Sequence, residues 1–176
     1  MAALIKILEM ADVKNSRLFQ HIEDIRQLKD VLVVLVKTEW NSEITDELEN
    51  GCKKVFKEYN IKTITITVPG AVEIPFAIKQ CCAHNNAPSA FIALGCVIRG
   101  GTPHFEYVCQ SVTHGITELN LAMEVPVVFG ILTVDTDKQA MERTGGIHGH
   151  KGEEAAITSI KMMILNQQMK EGNFKK

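Results

Sequence analysis

Four runs dominated by β-branched and aliphatic residues divide this chain: Val31–Val36, Ile61–Val68, Ala90–Ile98 and Val125–Val134. A run without polar alternation suits a strand covered on both faces, as strands of parallel sheets are. Between the runs the apolar positions change to steps of three and four. Ile44, Leu48, Cys52, Val55, Phe56 and Tyr59 mark a first helix; Ile74, Ala77, Ile78, Cys81 and Cys82 a second; Phe105, Val108, Val112, Ile116, Leu119 and Met123 a third. A short helix over Asp137–Arg143 follows the last strand, the glycines at 145 and 146 break it, and a longer helix carries Ala156, Ile160, Met163 and Ile164 on one face. Alternation at this spacing predicts a four-stranded parallel sheet covered by helices on both sides and joined by right-handed crossovers.

The 176 residues, 45% hydrophobic and 23% charged, suffice for one domain with a sizeable core. We expect that domain over 31–170, with an N-terminal arm over 1–30 and a frayed tail over 171–176. A net charge of -2 argues against nucleic acid or an anionic membrane surface as partner and leaves small molecules as the expectation. Cys52, Cys81, Cys82, Cys96 and Cys109 lie in apolar stretches without metal or redox spacing, as expected of reduced thiols in a cytoplasmic protein. Lys6 and Glu9 interrupt the first apolar stretch too early for a signal peptide or a membrane span.

In an open parallel sheet, ligands bind beyond the carboxyl ends of the strands. The first run leads into Trp40-Asn41, where Asn41 or Ser42 is placed to cap the next helix. Trp40, the only tryptophan, is either a core residue or an exposed surface for stacking a heteroaromatic ring. The second run ends at Pro69-Gly70, with Glu73 in the first turn of the following helix. The acid there either complements the helix dipole or hydrogen-bonds a polyol or amine. The third run leads into Arg99-Gly100-Gly101-Thr102-Pro103-His104. Gly95, Gly100 and Thr102 echo a nucleotide phosphate loop, but Gly101 stands where that loop needs lysine, which argues against nucleotide hydrolysis. The glycines still allow backbone N–H groups to approach an anion at a helix N-terminus. With Thr102 as N-cap and Pro103 first in the helix, His104 falls beside that anion, placed for proton transfer. His148-Gly149-His150 lacks a third ligand, so no metal is expected. Arg143 and Lys151 flank the glycine-rich break, and Arg143 is a candidate for bidentate phosphate binding.

Together these segments resemble the lumazine synthase family from Val31 to the last helix. The landmarks are Trp40-Asn41, VPGAVEIP at Val68–Pro75, LGCVIRGGTPHFEYV at Leu94–Val108, PVVFGILT at Pro126–Thr133, QAMERTG at Gln139–Gly145 and HKGEEAA at His150–Ala156. The resemblance implies a flavodoxin-like three-layer α/β/α sandwich and a site shared between neighbouring subunits of a pentamer. It implies that Trp40 stacks on a pyrimidine and that Val72 and Glu73 hold the pyrimidine and its ribityl chain. Val97 and Ile98 would lie beside the ring, Gly101 and Thr102 would bind phosphate, and His104 would transfer the proton. From the adjacent subunit, Phe129 would pack on the ring, Arg143 bind phosphate and Lys151 reach the ring's polar edge.

The implied reaction joins 5-amino-6-(D-ribitylamino)uracil to 3,4-dihydroxy-2-butanone 4-phosphate, giving 6,7-dimethyl-8-ribityllumazine, phosphate and water without cofactor or metal. Three positions depart from the family's habit: Val72 where a larger residue is common, His150 where asparagine is usual, and an arm without the expected glycine-containing approach to the first strand. The compact turn Gly145–Gly149 resembles that of members whose pentamers build an icosahedral shell of about sixty subunits. Two alternatives compete, a non-catalytic flavin- or lumazine-binding paralogue and a riboflavin synthase of archaeal type. The retention of Trp40, His104 and Arg143 argues against the first, and Gly101, Thr102 and Arg143 against the second.

Overall fold

The computed structural model describes residues 17–19, 28, 30–84 and 88–173. Nearly all of the expected arm, and the last three residues of the expected tail, lie outside them. Strands β1 (Leu32–Thr38), β2 (Lys62–Val68), β3 (Ala90–Ile98) and β4 (Val127–Val134) form one sheet in the order β2-β1-β3-β4, every pairing parallel. Helices α1 (Ser42–Glu58), α2 (Ile74–His84) and α3 (His104–Ala122) connect them. After β4 come a short α4 (Asp137–Met141), a hairpin of β5 (Thr144–Gly146) and β6 (Gly149–His150), and α5 (Lys151–Lys170). This is the flavodoxin-like α/β sandwich.

Alternate residues of the strands feed two cores. On one face Val33, Leu35, Ile92 and Leu94 pack with Leu48, Cys52 and Phe56 of α1 and Ala156, Ile160 and Met163 of α5. On the other, Val34, Val36, Phe91 and Ala93 pack with Ile74 and Ile78 of α2 and Val112, Ile116 and Leu119 of α3. Leu18 and Leu28 pack against the first core. Among the described residues, no helix is long and apolar enough to cross a membrane.

Four local expectations are corrected. The second run is not covered on both faces: β2 is an edge strand, its sequence KTITITV alternates, and Ile64 is exposed. Asn41 occupies the N-cap of α1 in a left-handed conformation, but its side chain does not cap; Nδ2 donates to the Cys96 carbonyl of β3 over 2.8 Å. Glu73 ends a 3-10 turn over Ala71–Glu73 rather than opening α2. Helix α4 stops at Met141, and the glycines beyond it form a paired hairpin, with Gly145 and Gly149 at positive φ, rather than a simple helix break.

Candidate active site

Three strands deliver their carboxyl ends to one cleft of about 500 Å³. From the end of β1 come Thr38, Trp40 and Asn41; from the turn after β2, Gly70, Ala71, Val72 and Glu73; from the end of β3, Cys96, Val97 and Ile98; from α3, His104 and Val108. The order β2-β1-β3 makes these three ends neighbours, so the topology itself builds the cleft.

Each wall has a local cause. Trp40 is 73% exposed, which decides between the two readings of this residue: it is a presented surface, not a core side chain. The tie from Asn41 to Cys96 holds the turn carrying Trp40 against the end of β3. Thr45 Oγ1 donates to the Thr38 carbonyl over 3.1 Å and steadies the same turn from within α1. At Gly70 a β-carbon would lie 3.0 Å from Glu73 Oε2 and 3.6 Å from Trp40 Cδ1, so the missing side chain lets tryptophan and acid approach one another. Val72 is 44% exposed into this space, and Val97 and Ile98 are partly exposed where β3 emerges from the sheet.

Beyond β3 the chain turns through Gly100-Gly101-Thr102, all exposed, into α3. The helix starts one residue later than expected. Pro103, with φ -62, is at the N-cap, His104 is the first helical residue, and no side chain caps the end. The Glu106 N–H donates to the Pro103 carbonyl over 3.1 Å, and with no side-chain cap the N–H groups of His104 and Phe105 face solvent or a ligand, which favours an anion. Arg99 braces this turn. Its guanidinium pairs with Glu106 of α3, donates to Asp135 beyond β4 over 2.7 Å and lies 4.1 Å from the centroid of Phe105. This brace, the tie from Asn41 and the clamp of Asn120 on both backbone groups of Val127 were missed in the sequence. A polar side chain near a strand end does not reveal which distant carbonyl or carboxylate it meets.

Cys96 is the one thiol in the cleft lining. Burial, aided by the charge of Asp137, pushes its pKa up to about 11. Burial, with Glu49 nearby, pushes Cys52 up to about 12. Both are neutral thiols at ordinary pH and poor nucleophiles. Among the described residues no group of three or more metal-ligating side chains occurs. His148 is buried, His150 packs between α1 and the hairpin, and His84 and His114 are exposed on their helices.

The remaining predicted site residues lie elsewhere. Phe129, 40% exposed, faces a second depression of about 460 Å³ with Lys151, Glu154, Asn120 and Leu18. Phe129 pairs with Ala93 in mid-sheet, four residues short of the Val97–Thr133 rung, or about 13 Å from the carboxyl edge. Lys151 Nζ pairs with Glu154 over 2.8 Å. Arg143 lines neither depression; Nη1 donates to the Gln139 carbonyl over 2.9 Å. The Lys151 N–H donates to the Arg143 carbonyl over 2.8 Å, bringing the two basic residues to the base of one hairpin. One chain thus gathers Trp40, Val72, Glu73, Val97, Ile98 and His104, with Gly101 and Thr102 on the adjoining turn, and holds Phe129, Arg143 and Lys151 apart from them.

A family model for 6,7-dimethyl-8-ribityllumazine synthase matches residues 30–167. The chain is 44% identical over 148 residues to a 6,7-dimethyl-8-ribityllumazine synthase of Parabacteroides distasonis, covering 82% of this chain and 90% of the relative. The proteins of that name from Porphyromonas gingivalis and Campylobacter lari are 46% and 44% identical, over 79% and 80% of this chain and 88% and 92% of theirs. With the cleft, the glycine turn and the sheet order in place, the chain belongs to the 6,7-dimethyl-8-ribityllumazine synthase family.

Proposed function

We propose that the chain condenses 5-amino-6-(D-ribitylamino)uracil with 3,4-dihydroxy-2-butanone 4-phosphate to give 6,7-dimethyl-8-ribityllumazine, the penultimate step of riboflavin synthesis in the cytoplasm. The observation that carries it is the meeting of an exposed indole, an acid and an imidazole in one cleft beside an uncapped helix N-terminus. Trp40 supplies a flat face for the pyrimidine, and Glu73 is within the same cleft to take the ribityl hydroxyls. Val72, Val97 and Ile98 form its apolar walls. Gly101, Thr102 and the first N–H groups of α3 receive the phosphate.

The pyrimidine's primary amine attacks the ketone and water leaves. Phosphate is then eliminated, and the ribityl-bearing nitrogen closes the second ring on the remaining carbonyl with loss of a second water. His104 moves the protons these steps require, and holding two substrates in register supplies much of the rate. No metal or redox cofactor takes part. Phe129, Arg143 and Lys151 come from an adjacent copy, because their own chain keeps them away from its cleft. A pentamer closes such a head-to-tail contact, and pentamers assemble further into an icosahedral shell.

Purified protein incubated with both substrates should form lumazine and release phosphate, whereas a His104→Ala, Arg143→Ala double variant should fall to the spontaneous rate. Product no faster than that background with the unaltered protein refutes the synthase. Sedimentation that gives only pentamers refutes the shell.

A further inference from the structure

We propose that His150 is a positioning residue for Arg143 and Lys151, its imidazole serving as a spacer that sets the basic hairpin at a fixed depth against α1; the role rests on the function proposed above. The ring lies directly on the backbone of α1. A β-carbon at Gly51 would overlap it, with His150 Nδ1 only 2.5 Å away. On the other side of the ring, a β-carbon at Gly145 of β5 would sit 3.7 Å from Cδ2. The imidazole therefore fills a slot between two glycines, one on a helix anchored in the core and one on the hairpin.

The contacts around the slot transmit this placement. Thr144 pairs with His150 across the hairpin, and the Lys151 N–H donates to the Arg143 carbonyl over 2.8 Å. One residue further on, Gly152 lies so close to Leu48 that a β-carbon would overlap the Leu48 backbone, and Cys52 Sγ donates to the Gly152 carbonyl over 3.1 Å. Lys151 is thus held between two residues that both press on α1. The depth of the ring decides where the base of the hairpin stands, and Arg143 and Lys151 stand with it.

The Nδ1 atom is buried and has no hydrogen-bond partner. Nδ1 thus contributes no bond across the slot, and what the ring supplies against Gly51 is its close packing. Close packing leaves no slack: thickening Gly51 or thinning His150 moves the hairpin rather than being absorbed locally.

Gly51→Ala, His150→Ala, the double variant and Arg143→Ala as reference are compared by steady-state kinetics with both natural substrates, and by melting temperature. Gly51→Ala and His150→Ala should each raise the KM for the butanone phosphate about tenfold, with a smaller change in kcat, because a displaced hairpin loses aligned contacts. The double variant should melt above Gly51→Ala alone, since removing the ring makes room for the methyl group, yet keep the raised KM. Unchanged KM in Gly51→Ala and His150→Ala, while Arg143→Ala raises it, overturns the proposal and leaves the ring a core filler. No effect of Arg143→Ala instead overturns the phosphate role of Arg143. If Gly51→Ala does not fold, His150→Ala decides by the same KM criterion.

Discussion

The cleft at the carboxyl edge and the depression beside β4 each hold an exposed aromatic and an ionisable side chain, yet they are built differently. Trp40 reaches the cleft just past the end of β1 and His104 from the start of the helix that follows the turn after β3, and the order β2-β1-β3 sets those strand ends side by side. Phe129 sits in mid-strand on the edge strand β4, and Lys151 opens a helix that returns across the opposite core. A strand end needs only sheet topology to present a residue, whereas an edge strand offers its face to whatever packs beside it. Under the shared site proposed above, the two regions would meet only between copies of the chain.

The largest test of that difference is complementation. His104→Ala and Arg143→Ala, each inactivating by about 10²- to 10⁴-fold if it removes proton transfer or phosphate stabilisation, should recover activity when co-expressed, because a shared site can combine both intact residues. A mixture as inactive as either variant would break the division between the two regions. A smaller effect separates presentation from packing at Trp40. Trp40→Ala should raise the KM for the aminopyrimidine about tenfold and change stability by no more than about 0.5 kcal/mol, since the indole is largely exposed. A large fall in melting temperature would mean that the indole packs as core.

The smallest effect concerns the element both regions share. Helix α1 carries the Trp40 turn at one end and the seat of the basic hairpin in its middle, and Glu49 fastens it to the sheet. Burial would raise the Glu49 carboxyl, but hydrogen bonds from Lys37, Lys53 and Thr65 outweigh it and hold the pKa at about 2 against an ordinary 4.5. A depressed folded-state pKa stabilises fully above the unfolded value, and the contribution is lost as pH falls from 4.5 towards 2. Urea midpoints should decline through that window, and less steeply in Glu49→Gln. Equal slopes in the two proteins would show that Glu49 does not fasten α1.

The four runs were legible as strands because burial of a parallel sheet writes itself as continuous apolar sequence. The run at 61–68 misled, since Thr63, Thr65 and Thr67 alternate with Ile64 and Ile66 on an edge strand whose half-exposure is a matter of strand order. Asn41 was legible as a helix start but not as a brace, because Cys96 lies 55 positions away in sequence. The Gly51–His150 contact was not legible for the same reason: a glycine mid-helix reads as a weak helix former until its neighbour is known.

Sequence alone determined the strand and helix alternation, the glycine turn that leads into His104 and the motifs that place the chain among lumazine synthases, all carried by residues close together along the chain. Only the tertiary structure decided that Trp40 is presented rather than buried, that Thr102 does not cap α3, and that Phe129, Arg143 and Lys151 lie away from the cleft. Those outcomes depend on strand order and on contacts between distant segments, which no local pattern of residues encodes.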